Sequence, residues 1–312
     1  MNAHKTLATG LITFCLLPPW YASDQVGAGE TEVKSVLATA KDHALETKHR
    51  LEYKFTKGEV VQWQVRHLGT TEAKVQGNTQ TSKMRAVSTK QWEIVDVDDD
   101  GNATFVHSVL DVDMWQKVSG REEIRYNSAE DENAPPEYRN VAKTVGVPLA
   151  TVKISPSGNV LERDKTPRHV NSGLGEIAVP LPTEPVKVGQ NWKIPNQIRV
   201  RRRDGQVLHI KTRLVYTLES VNSGVATINI RTEVVTPVND PQVEVQLVQQ
   251  LLDGELEFDL DAGRVMSRQV DWDKTVVGFN GDDSLMKYLA RFTEELIPAE
   301  KMASQPAEPS TR

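Results

Sequence analysis

The sequence predicts a mainly β protein made of two similar antiparallel halves, arranged as a curved half-barrel or a sandwich, with a C-terminal helix. Three observations predict it. Period-two alternation recurs along the chain, as in Val61, Trp63 and Val65 against Gln62, Gln64 and Arg66, the pattern of a strand with one buried face. Pairs of such runs flank short polar turns containing glycine, which is the hairpin signature. Three landmarks then return in the same order: Lys57-Gly58-Glu59 and Val188-Gly189-Gln190, the turns at Asp98–Asn102 and Asn222–Gly224, and the stretches Ala150–Leu161 and Gly254–Val265. That recurrence indicates an internal duplication over 51–165 and 185–273.

At the N-terminus, His4 and Lys5 precede an apolar run from Leu7 to Leu17, which Pro18-Pro19 breaks before small residues follow. This is the layout of a secretory signal peptide over 1–28, with cleavage after Ala22 or Ala28; the run is short for a membrane span, and a retained anchor is the alternative. Cys15 is the only cysteine, and Phe14 before it is too large for a lipidation site. Once the signal is removed, the mature chain has no thiol for disulfides, metal binding or nucleophilic attack. No other apolar run reaches transmembrane length. The expected location is therefore periplasmic or extracellular.

Residues 29–50 read as a linker or short helix, because Val33, Val36, Leu37 and Ala40 follow helical spacing. The first β half, 51–170, opens with alternating Leu51, Tyr53 and Phe55, turns at Lys57-Gly58, and contains the hairpin Gln91–Val97 to Ala103–Leu110. The sheet continues through Met114–Tyr126 with a turn at Ser119-Gly120. Residues 128–140 form an exposed loop with one helical turn after Pro135-Pro136, and Val147–Ile154 and Val160-Leu161 resume the strands. The connector over 171–192 holds Pro182 and Pro185, which forbid helix and favour extended chain. In the second half, 193–273, Leu214–Glu219 and Val225–Ile230 form a second hairpin. A C-terminal helix is expected over 274–298, since Asp282-Asp283-Ser284 could cap a run with Leu285, Tyr288, Leu289, Phe292 and Leu296 at helical spacing. The tail 299–312 is polar enough to be disordered.

Few residues point to chemistry. Asp96–Gly101 has the first half of a calcium loop, but His107 stands where a bidentate glutamate is needed and the equivalent second turn has no carboxylate. No metal site and no cofactor is expected: the seven histidines are scattered and no phosphate-binding glycine loop occurs. Nor is there a nucleophile elbow. Asp259, Asp261, Asp271 and Asp273 alternate on strands, which leaves a carboxylate hydrolase site as an alternative. Trp63, Trp92, Trp115, Trp192 and Trp272 read as core or sheet-edge packing. The strongest charged feature is a basic hairpin, Arg199, Arg201 and Arg203 followed by Lys211 and Arg213, whose guanidinium row could grip an anionic partner. A net charge of −6 disfavours nucleic acid as that partner.

The string Leu181–Trp192, with Tyr53–Glu59 before it and Gly254–Asp259 plus Gly263-Arg264 after it, resembles an uncharacterised family of secreted β-rich bacterial proteins found in planctomycete-type genomes. The resemblance covers 51–273 and departs where Gly189-Gln190-Asn191-Trp192 replaces a more usual Gly-Asp-x-Trp. It implies an exported, β-rich, duplicated protein and no activity. The expected function is an exported, non-enzymatic binding protein that carries or sequesters a lipid or other apolar ligand. The alternative partner is an anionic envelope polymer held by the basic hairpin.

Overall fold

The structure, a computed structural model, describes residues 47–164 and 177–303. The expected signal peptide, the helical reading of 33–40, the start of the connector and the tail beyond 303 lie outside the described residues. Fourteen strands occur among the described residues: β1 (Lys48–His49), β2 (Val60–Val75), β3 (Asn78–Val97), β4 (Ala103–Val118), β5 (Ile124–Asn127), β6 (Pro148–Ile154), β7 (Val160–Arg163), β8 (Val186–Lys187), β9 (Asn191–Arg201), β10 (Val207–Asn222), β11 (Val225–Val234), β12 (Asp253–Asp259), β13 (Arg264–Val277) and β14 (Leu285–Leu296). Three short α-helices, α1 (Arg139–Ala142), α2 (Pro241–Leu247) and α3 (Ala299–Ala303), and two 3-10 turns, Pro136–Tyr138 and Val248–Gln250, accompany them.

One antiparallel sheet carries twelve of the strands in the order β7-β6-β4-β3-β2-β14-β13-β12-β11-β10-β9, with β5 on the same side of β4 as β6. β1 and β8 form a separate two-stranded ladder. The edge strands β7 and β9 do not pair, so no barrel closes.

The halves follow the same path. Gly58 and Gly189 both sit at positive φ, 85° and 84°, where glycine alone avoids a Cβ penalty. The Gly58 N–H donates to the Ile94 carbonyl at 2.8 Å, and the Gly189 N–H to the Leu218 carbonyl at 2.7 Å. Side chains repeat the match, since Glu59 accepts from the Thr56 N–H and Gln190 from the Lys187 N–H. A bulge follows Ile94 in one copy and Leu218 in the other. Strands β2-β3-β4-β6-β7 thus answer β9-β10-β11-β12-β13, and β14 joins the two runs. Each copy also carries an insert at the same place, β5 with α1 between β4 and β6, and α2 between β11 and β12.

The main core lies where the wings of the sheet approach each other through the chain segments that precede each copy. Residues 51–55 belong to no strand, a correction to the strand expected there. They bridge the wings instead: Tyr53 meets Phe258 edge-on at 5.6 Å, and Phe55 meets Trp92 at 6.0 Å. Trp92 stacks on Phe105 at 4.1 Å and lies 4.9 Å from Trp63. The connector contributes Leu181 and Val186 to the same cluster. Its Val179 N–H donates to the buried Tyr53 hydroxyl at 3.0 Å, and Pro180 accepts from the Trp192 indole at 2.9 Å.

A C-terminal helix is present, but only as the five-residue α3. The helix expected over 274–298 is corrected: Leu285–Leu296 is β14, paired to β2 along its full length and to β13 from Leu285 to Glu295. Tyr288, Phe292 and Leu296 are four apart, a spacing shared by helical and strand periods. The buried positions Met286, Tyr288, Phe292 and Glu294 decide for period two. Two open strand edges, with backbone donors and acceptors to satisfy, outweigh the local helix signal.

Candidate functional site

Strand parity assigns one face of the sheet centre. Register places His67 between Ala86 and Phe292, and Gly69 between Met84 and Ala290. Small residues at successive inward positions leave a depression flanked by large ones. This cleft has a volume of about 280 Å³ and is lined in part by His67, Gly69, Met84, Met114 and Tyr288. Tyr138 from the first insert and Gln249, just after α2, close its two sides. The lining mixes apolar Met side chains and amphipathic Tyr and His rings with the polar Thr71, Ser82, Arg85 and Gln116, a composition suited to a small ligand with both apolar and polar parts. His67 packs near Trp272 and Phe292, its Nε2 is buried without a partner, and burial pushes its pKa down, so the imidazole is neutral.

Beside the cleft, in the adjoining rows of the same face, lies a buried ionic cluster. Glu294 on β14 is gripped by Lys90 on β3 and, at 2.8 Å, by Arg268 on β13. Their side chains are only 5%, 18% and 14% exposed. Burial alone would raise the Glu294 carboxyl, but the two cations outweigh it and hold it at about 2. Burial pushes the Lys90 ammonium down against the pull of Glu294, with Arg268 adding repulsion. The carboxylate faces two cations while Lys90 faces one anion and one like charge, so the Glu294 anion is the firmly fixed member. Lys90 also lies 4.3 Å from the Trp63 ring centroid and 5.0 Å from that of Trp92, contacts that replace part of its lost hydration. His107 nearby is lowered to about 4, by burial first and then by Lys90. No pattern in the sequence marks these residues, because Lys90 on β3 lies 204 residues from Glu294, in the β13–β14 pair that also carries Arg268.

The basic hairpin forms as β9, a turn at 202–206, and β10. Arg199, Arg201 and Lys211 stand exposed on its outer face, opposite in parity to Ile198, Val200 and Ile210, which pack under α2. The other two predicted residues are engaged: Arg213 donates to Glu233 at 2.5 Å, and Arg203 donates to Asn280 at 2.7 Å. The structure adds Lys193, exposed on the same face. β9 is an outer strand, and its Pro195 and cations also guard that edge.

Glu255, Glu257 and Asp271 line a groove of about 410 Å³ over β11–β13. Asp271 is held by Arg291 at 2.6 and 3.2 Å, which keeps it below the usual carboxylate range, the opposite of what a general acid requires. The Asp259 side chain caps its own turn through the Asp261 and Ala262 N–H groups. At the former calcium candidate, Asp98 accepts from the Asp100 and Asn102 N–H groups and pairs with Lys153 at 2.9 Å. The acidic tip is thus a turn stabilised by its own aspartate. No group of three metal-ligating side chains occurs among the described residues.

No family model matches the chain and no curated protein matches it. Solved structures give distant likenesses. One is a lipovitellin described for lipid-protein interactions, with 12% identity, a TM-score of 0.47, and coverage of 83% of this chain and 26% of that one. The chain therefore spans about a quarter of that lipovitellin chain. DynF from the dynemicin pathway of Micromonospora chersina has 6% identity and a TM-score of 0.21, covering 82% of this chain and 92% of that one. A DUF1329 family protein from Desulfovibrio piger has 11% identity and a TM-score of 0.15, covering 83% and 90%. Similarity at this level identifies no family and leaves function to be argued from the chain's own residues.

Proposed function

We propose that this is an exported, non-enzymatic binding protein whose inward cleft takes one small lipid or other apolar ligand bearing a polar group. The observation that carries the reading is the cleft itself. It is a half-open space of about 280 Å³ on the inward face of the sheet, lined from both inserts by Tyr138 and Gln249. Met84 and Met114 offer adaptable apolar surface, and the Tyr138 and Tyr288 rings offer apolar bodies with polar tips. The volume lies near the lower end of ordinary small-molecule sites, about 300 Å³, so a single chain or ring system fits better than a bulky lipid.

The test is native mass spectrometry of protein purified from its own envelope, together with displacement of the dye 1-anilinonaphthalene-8-sulfonate. A co-purifying apolar ligand is expected. A Cβ at Gly69 would already meet the Met84 Cγ at 3.2 Å, so Gly69→Leu projects into the cleft. That variant should lose the ligand and weaken dye binding at least about tenfold while folding normally. A ligand-free wild type with no dye binding, or full retention by Gly69→Leu, refutes the reading.

A further inference from the structure

The outer face of β9–β11 concentrates positive charge in a chain whose net charge is −6. Lys193, Arg199, Arg201 and Lys211 are exposed there and have no side-chain partner among the described residues. Arg213 and Arg231 share a single carboxylate, Glu233, at 2.5 and 2.8 Å. On these three strands six cations thus stand against two carboxylates, Glu233 and the exposed Glu219, a net of +4, and Asp253 on β12 registers opposite Arg231 at the far side of the stripe. Along β9 the stripe runs from Lys193 to Arg201, roughly 26 Å at strand rise, and it is only about 10 Å wide. Such a shape follows an extended chain rather than a broad plane. No Phe, Tyr or Trp stands on this face, since Trp192 and Tyr216 have inward parity and belong to the core, so single-stranded nucleic acid would find no stacking platform.

We infer that this stripe is a binding surface for an acidic polysaccharide laid along β9 and β10, with Arg199, Arg201 and Lys211 as its central contacts. The surface is separate from the cleft. Arg199 and Arg201 repeat along one strand at about 7 Å, and Lys211 lies one strand across, so successive carboxylates of a polymer can meet successive cations. Arg201 is further fixed by its backbone, whose N–H and C=O both bond the Gln246 side chain of α2, at 2.9 and 2.8 Å.

The experiment measures full-length protein binding to soluble alginate by titration across a salt series. Affinity should fall at least about tenfold between roughly 50 and 200 mM salt. The triple variant Arg199→Thr/Arg201→Thr/Lys211→Thr should weaken binding at least about tenfold and flatten the salt dependence, while Lys83→Thr/Lys117→Thr/Arg121→Thr, on exposed sites of the other half, should leave both unchanged. Absence of alginate binding overturns the inference, as does equal loss in both triple variants. Binding to phosphatidylglycerol vesicles through these residues, without alginate binding, overturns it in favour of a lipid surface. Dye displacement from the cleft, unaffected by the triple variant, keeps this result distinct from the apolar-ligand reading.

Discussion

Glu294→Ala is expected to destabilise the fold by about 3–5 kcal/mol, read as a fall in urea midpoint at constant slope. The substitution leaves Lys90 and Arg268 buried beside one another with no anion, and water cannot readily reach them. Desolvated like charges are costlier than the lost hydrogen bonds. A triple change of Lys90→Met, Glu294→Leu and Arg268→Leu should recover most of the loss, because an apolar replacement removes the charges as well as the pairing. Failure to recover would mean that shape, not charge, governs the site. The pH dependence follows from the depressed carboxyl. Glu294 sits at about 2 in the folded protein against about 4.3 in an unfolded chain. Its contribution is therefore complete above about pH 4.3 and is lost as pH falls toward 2. Stability should drop by about 3 kcal/mol across that window, and Glu294→Gln should flatten this acid limb.

Gly158→Ala should cost at least about 3 kcal/mol, measured by thermal or urea unfolding. Gly158 has φ of 77°, and a Cβ there would lie 2.4 Å from the Val179 carbonyl oxygen and 2.8 Å from the Tyr53 ring. Neither neighbour can yield freely: Tyr53 is wedged against Phe258, and the Val179 amide is bonded to the Tyr53 hydroxyl. The turn also receives the Tyr53 and Leu181 amides, through the carbonyls of Pro156 and Ser157 at 2.7 and 2.8 Å. Strain and displacement add here, whereas Gly189→Ala, with open space around its Cβ, should show the backbone cost of about 1 kcal/mol alone.

The strand grammar was legible because alternation is a local property. Trp63, Trp92, Phe105, Ile228 and Phe258 all occupy buried positions that period two assigns them. The duplication was legible for a related reason: Gly58 and Gly189 mark a turn that needs positive φ, and such a requirement survives where side chains drift. The C-terminal strand was not legible, because residues four apart satisfy either period and only its two neighbours in the sheet choose between them. Part of the basic hairpin could be read from Arg199, Arg201 and Lys211. That Arg213 is spent on Glu233, and that Lys193 joins the stripe, depends on cross-strand register.

By itself, then, the sequence determined that the chain builds hairpins, repeats them twice and separates the copies with a proline-bounded connector. Tertiary structure alone decided that the copies join into one sheet through β14, that residues 51–55 leave the ladder to bridge its wings, and that Lys90, Arg268 and Glu294 meet beside an inward cleft. The physical reason is separation along the chain. Alternation and turn chemistry act over a few residues, while Lys90 and Glu294 are 204 residues apart and are brought together only by the order in which strands pair.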